Sequence, residues 1–182
     1  ETLLRAARHA DLDIVTCALT AFETGDPAKG TARPDYVYIP LGPALEIGPF
    51  QNVFGDTNFL VRRDVFLAEG GFPDRFGPNA GGAEDWEFLA RAVLRGRRLD
   101  VAPEFLVWYR TGHMRRTVTN SRYASVRRVL AQYEAALAPA HPWLFHTLLY
   151  PTHLRYLEQR DELTVLPVAA RRMLRLLLPF ER

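Results

Sequence analysis

The sequence predicts an α/β fold, with a mixed sheet flanked by helices over residues 1–114 and a C-terminal helical extension over 115–182. Three observations carry this reading. Up to about residue 110, short apolar runs of strand length alternate with segments of helical period, whereas everything beyond is helical in pattern. The joints between segments are marked by Gly and Pro. Charge divides at the same place, with 12 basic and 16 acidic side chains before residue 115 and 11 basic and 5 acidic after it, or −4 against +6.

Residues 2–10 read as the end of a helix, and 13–19 as a buried strand containing Ile14-Val15-Thr16-Cys17-Ala18-Leu19. Between Thr24 and Phe50, Gly and Pro recur so closely that only a short extended segment near Tyr36 to Ile39 fits, and a loop of this length inside a compact domain is usually functional. Thr57 to Val61 reads as a strand and Arg63 to Glu69 as a short helix stopped by Gly70-Gly71. The aperiodic, glycine-rich stretch 70–82 reads as a mobile loop. Glu84 to Arg95 is predicted as a helix with Trp86, Leu89, Ala90 and Val93 on its apolar face, and two short strands follow near 98–102 and 104–109. Tyr123 to Leu137, Trp143 to Gln159 and Leu166 to Leu178 complete the chain as helices.

Composition narrows the class. With 48% apolar residues, 182 residues suffice for one substantial core. No apolar run approaches the roughly 20 residues that span a bilayer, so a cytoplasmic setting is the expectation. A single cysteine, Cys17, rules out an internal disulfide or a cysteine-based metal cage and reads as a small buried hydrophobe. The basic half shows no recognition motif and no regular interleaving of aromatics, which argues against nucleic acid. Its last helix, with Arg171, Arg172 and Arg175 striping an apolar body, suits either a peripheral position on an anionic membrane or packing on its neighbours or a second copy. Because the chain starts at Glu1 and enters helix-like sequence at once, it is expected to be part of something longer.

The densest chemistry lies between Gly55 and Arg110. A strand bearing Asn58 is followed by Arg62-Arg63, Gly70-Gly71-Phe72, the glycine loop, Glu84-Asp85 opening a helix, Arg91 and Gly96, Pro103, and a strand ending Trp108-Tyr109-Arg110. On residues alone, Glu84 and Asp85 fit two roles: acids stabilised at a helix start by the macrodipole, or a carboxylate fixed beside a loop that closes over substrate. Adjacent helical positions point about 100° apart, so the two do not form a paired acid/base site. The order of these features resembles the second half of family 2 glycosyltransferases, in which an arginine pair, a Gly-Gly-Phe turn, a Glu-Asp dipeptide with a following arginine and glycine, and a strand ending in Tyr-Arg succeed one another. The resemblance covers less than a third of the chain strongly and residues 1–22 more loosely.

That resemblance implies a truncated GT-A-like sheet, the acceptor half of an inverting enzyme that moves a sugar from a nucleoside diphosphate donor to an acceptor hydroxyl. It implies Asp85 as the catalytic base, with Glu84 toward acceptor hydroxyls and Asn58 and Arg110 as further substrate-binding residues, Arg110 pairing with phosphate oxygens. Strand alternation puts one of Trp108 and Tyr109 at the site and the other in the core, and Trp108 is read as the substrate-binding one that stacks on a sugar ring. A divalent cation, Mn²⁺ or Mg²⁺, would be expected in the whole enzyme, with His113 able to reach it or the diphosphate, and otherwise a surface histidine. The family's Asp-x-Asp metal motif follows a buried strand. Asp11-Leu12-Asp13 precedes one, and reads as helix-to-strand turn acids instead. By itself the chain is expected to be inactive. The competing class is a non-catalytic helical module that binds a membrane or a partner. A helix-start carboxylate would also be expected to titrate low, which weakens it as a base.

Overall fold

A computed structural model describes residues 1–49, 51–72, 84–111, 122–137 and 139. The chain is mixed α/β. Helix α1 (Thr2–His9) leads through a turn at Asp11, whose φ is 51°, into strand β1 (Ile14–Phe22), which is buried along all nine residues. That burial explains the continuous apolar run. Ile14 joins the core formed with α3 and α4, while Val15 and Cys17 join the smaller core under α1, so alternate side chains feed two separate cores.

Strand β2 (Pro34–Tyr38) and the two-residue β3 (Leu60–Val61) both run antiparallel to β1. They occupy opposite ends of one edge: β3 pairs at Ile14 and Val15, β2 at Leu19 to Phe22. The other edge of β1 is taken along its whole length by β4 (Leu99–Arg110), which runs parallel to it. Sequence reading divides 98–109 into two strands at Pro103. The structure keeps one, because the ladder steps from Cys17 opposite Ala102 to Ala18 opposite Phe105, and the extra residues are taken up as a bulge. Proline is tolerated there because β1 is the only strand that β4 pairs with among the described residues. The predicted strand 57–61 is likewise shortened to its last two residues.

Helices α2 (Arg63–Ala68), α3 (Glu84–Leu94) and α4 (Arg122–Leu137) complete the described elements. The apolar face predicted for α3 is buried, but so is every residue from Trp86 to Val93, polar ones included. The second face is covered by α4, which brings Val129, Leu130 and Tyr133 into the core shared with Phe54, Phe88 and Leu89. The first helix of the predicted 115–182 extension therefore shares its core with the sheet region. Burial of charge on α3 is compensated locally. The Glu87 carboxylate lies 3.5 Å from Arg91 and accepts from Gln132 at 3.3 Å, and Arg91 donates to the Gly71 carbonyl at 2.9 Å.

Two more ion-pair groups fix the lower end of the sheet. Glu69, its side chain almost fully buried, accepts from Arg95 at 2.9 Å and Arg97 at 2.7 Å. Asp13 accepts from the Arg98 backbone N–H at 3.0 Å and pairs with Arg62, while Asp11 pairs with Arg98. The predicted helices beyond Leu137, most of the glycine loop, His113, Arg115 and Arg116 lie outside the described residues. Among those described, no helix is long and apolar enough to cross a membrane.

Candidate functional site

Pairing across β1 decides which side chains share a surface. Leu19 is opposite Tyr38 and alongside Val107, and Ala21 is opposite Tyr36 and alongside Tyr109. Directly paired residues project to the same face, so Tyr36, Tyr38 and Tyr109 converge on one side of the upper sheet. The residues between them go to the opposite face. There Trp108 packs edge-on against Phe22 at 5.7 Å, and the Arg110 guanidinium lies 4.5 Å above the same ring.

The tyrosine-bearing face opens into a cleft of about 270 Å³ whose lining adds Leu19, Asn52, Gly55, Asp56 and Asp85. Asp85 stands in the first turn of α3, half-buried. The loop before β3 brings the other polar groups to it. Gly55 has a φ of 152°, and a Cβ at that position would collide with Thr16 of β1, so only glycine lets the loop pass this close to the strand. Upstream, Gly48 accepts a hydrogen bond from the buried Trp86 indole at 2.9 Å, tying the loop to α3.

Asn52 links the parts of the site. Its side-chain amide donates to the Gly55 carbonyl at 2.6 Å and to the Asp85 carboxylate at 3.2 Å, and its backbone carbonyl accepts from the Tyr38 hydroxyl at 2.9 Å. These contacts hold the Asp85 carboxylate in one direction. Burial is the main reason that Asp85 is pushed up to about 7, and the neighbouring Asp56 charge adds to it. The Trp86 backbone N–H opposes the shift, and Glu84 contributes in the upward direction. The helix-start argument points the other way, toward a low value. It is overturned because desolvation and a second carboxylate outweigh the N–H groups of the first turn. The Tyr38 hydroxyl is also raised, by burial and then by Asp85 and Asp56, so it stays protonated and available as a donor.

The remaining sequence candidates are distributed differently. Glu84 is half-buried beside Asp85 but outside the cleft lining. Asn58 lies toward Cys17, with its amide 3.8 Å from the thiol sulfur, and is not among the lining residues. Trp108 is on the far face of β4, where it is 46% exposed, and Tyr109 takes the cleft position in its stead. Arg110 donates to the Gly25 carbonyl at 3.0 Å and the Glu23 carbonyl at 3.4 Å, an arrangement that secures the chain after β1. Trp86 is core, and Phe72 packs against Phe59, Phe66 and Phe88.

Asn52, Asp56, Tyr36 and Tyr38 are cleft residues that sequence reasoning does not single out. The available signal was the long Gly/Pro-punctuated stretch with its short extended segment, which holds both tyrosines. A larger cleft of about 390 Å³ between α1 and β4 has mostly apolar walls and lies apart from Asp85.

A divalent cation needs several oxygen or nitrogen ligands converging on one point. Among the described residues no group of three or more His, Cys, Asp or Glu is so arranged. The described cleft therefore does not fit a resident metal on its own, and Asp11 and Asp13 are engaged by arginines. No family model matches the chain, and no curated protein or solved structure matches it either.

Proposed function

We propose that the chain carries the acceptor-side region of an inverting glycosyltransferase of the GT-A type, with Asp85 as the base that takes the proton of the acceptor hydroxyl. The order of motifs from Arg62-Arg63 to Tyr109-Arg110, which resembles family 2, supports the class. On this reading the sheet of β1, β2 and β4 and helix α3 correspond to the acceptor half of that fold. The observation that carries the mechanism is the Asp85 carboxylate, oriented by Asn52 at an open cleft and raised to about 7.

The chemistry follows from what these groups can do. The acceptor oxygen forms a bond to the anomeric carbon as the bond from that carbon to the diphosphate oxygen breaks, and the electron pair leaves with the diphosphate. The acceptor proton passes to Asp85 as the oxygen loses electron density, so transfer is late and coupled to bond formation. A carboxylate titrating near 7 is a stronger base than an ordinary aspartate, and about half or more of it is ionised above neutrality. That is the compromise which makes a general base effective, and such bases typically contribute about 10²–10⁴-fold in rate. Attack from the acceptor side, opposite the leaving group, gives inversion.

The natural protein carrying residues 1–182 should therefore convert a nucleoside diphosphate sugar and an alcohol acceptor to a glycoside. Following the anomeric proton by NMR should show the configuration opposite to that of the donor. Product of retained configuration, or release of free sugar alone when acceptor is present, would overturn the proposal.

A further inference from the structure

We infer that the acceptor ring entering this cleft carries no acidic group, and that Asp56 is the residue that enforces this selection, with Tyr36 and Tyr109 as the walls that hold the ring. The inference rests on the acceptor-site reading above and extends it to a class of acceptor.

The walls come from strand register. Tyr36 and Tyr109 are both paired with Ala21, one from each side, so the three form a row across β2, β1 and β4. Two strand spacings put the tyrosine backbones roughly 9–10 Å apart, with a small buried residue between them. Two aromatic rings at that separation leave a slot about one ring wide. Both are conspicuously open for residues on a folded sheet, Tyr36 at 50% and Tyr109 at 40% exposure. Sugar rings present an apolar C–H face to aromatic rings and direct hydroxyls outward. The outward direction here leads to Asn52, Asp56 and Asp85, which share the lining with the tyrosines.

The selection comes from charge. Among the described residues, the lining contains two carboxylates and no Lys, Arg or His. Of the described arginines near the lining in sequence, Arg110 is committed to the Glu23 and Gly25 carbonyls and Arg91 to Glu87 and Gly71, while Arg33, three residues before Tyr36, is exposed and outside the lining. Hydroxyl or ammonium groups on the ring can donate to these carboxylates, whereas a uronate or phosphate on it would meet the like charge of Asp56 and Asp85. Asp56 is held by Thr57, whose backbone N–H donates to it at 2.7 Å and whose hydroxyl donates at 3.2 Å. An asparagine keeps that acceptor oxygen, so the charge can be removed without unmaking the turn.

The test uses the 182-residue chain and matched methyl glycosides of the gluco and galacto series, each as the neutral sugar, the 2-amino sugar and the uronate. Binding is measured by ligand-observed NMR at pH 8 and low salt. The neutral or amino member of at least one series should bind about tenfold more tightly than its uronate. The gap should shrink in 0.5 M salt and narrow severalfold in Asp56→Asn, where Asp85 alone keeps a charge in the lining, and Tyr109→Ala should lose binding of all members. A uronate that binds as well as the neutral sugar, or a gap unchanged by Asp56→Asn, would overturn the inference and leave the acceptor site standing. Failure of every glycoside to bind, with the fold intact by circular dichroism, would instead sink the acceptor-site reading from which the inference starts.

Discussion

Replacing Asp85 by Asn should stabilise the fold above neutral pH, and the size of the effect can be worked from the site. Asp85 is raised from its ordinary value of 3.8 to about 7. Below pH 4 the carboxyl is protonated in both folded and unfolded chains and contributes nothing. As pH rises from about 4 to about 7, the unfolded chain ionises freely while the folded one does so only against burial and the Asp56 charge, so the wild-type chain loses stability over that window. Above 7 the loss is complete and constant. A shift of roughly three units sets a ceiling of about 4 kcal/mol. Asparagine forfeits the charge-assisted contact with the Trp86 backbone N–H, which leaves a net gain of about 1–3 kcal/mol at pH 8. For a chain of this size that is about 3–10 °C in Tm. Calorimetry or urea unfolding of both proteins at pH 5 and pH 8 reads it directly. An acid placed merely to favour a helix start would behave oppositely, and its removal would cost stability at pH 8. A variant less stable than wild type at pH 8, or a difference equal at the two pH values, refutes the reasoning.

The same shift predicts that kcat/KM of the natural protein rises with pH through a single ionisation near 7. Because Asp56 helps to raise Asp85, Asp56→Asn should move that limb to lower pH while leaving its slope unchanged, as a pH–rate profile would show. Gly55→Ala should destabilise by about 2 kcal/mol or more, since the residue has a positive φ and its Cβ would strike Thr16; urea unfolding measures this. Trp86→Phe removes the indole donor to Gly48 while keeping most of the ring, and should cost about 1–2 kcal/mol by the same method.

What the sequence discloses here divides along physical lines. Local pattern finds β1, although the strand continues to Phe22, three residues past its predicted end, and it places α1 by period, and α2 and α3 by period and glycine stops, within a residue or two. Asp85 is legible because its position depends only on the start of α3. Tyr109 is legible only as one of a pair with Trp108. Alternation says that one of them faces the site, but the choice depends on how β4 registers on β1, and two bulges set that register. Asn52 and Asp56 leave no periodic trace. They reach Asp85 because Gly55 lets an irregular loop pass against Thr16, a contact between residues far apart in sequence. The direction of the Asp85 shift was hidden for the same reason, since the first turn of the helix is local whereas the burial and the Asp56 charge are not.

Turnover by Asp85→Asn in the natural protein tests the central claim most directly. With a nucleoside diphosphate sugar and an accepted alcohol, the variant should fold, bind donor with unchanged affinity, and lose about 10²–10⁴-fold in kcat. Transfer at the wild-type rate by a folded Asp85→Asn protein would contradict the claim that this carboxylate receives the acceptor proton.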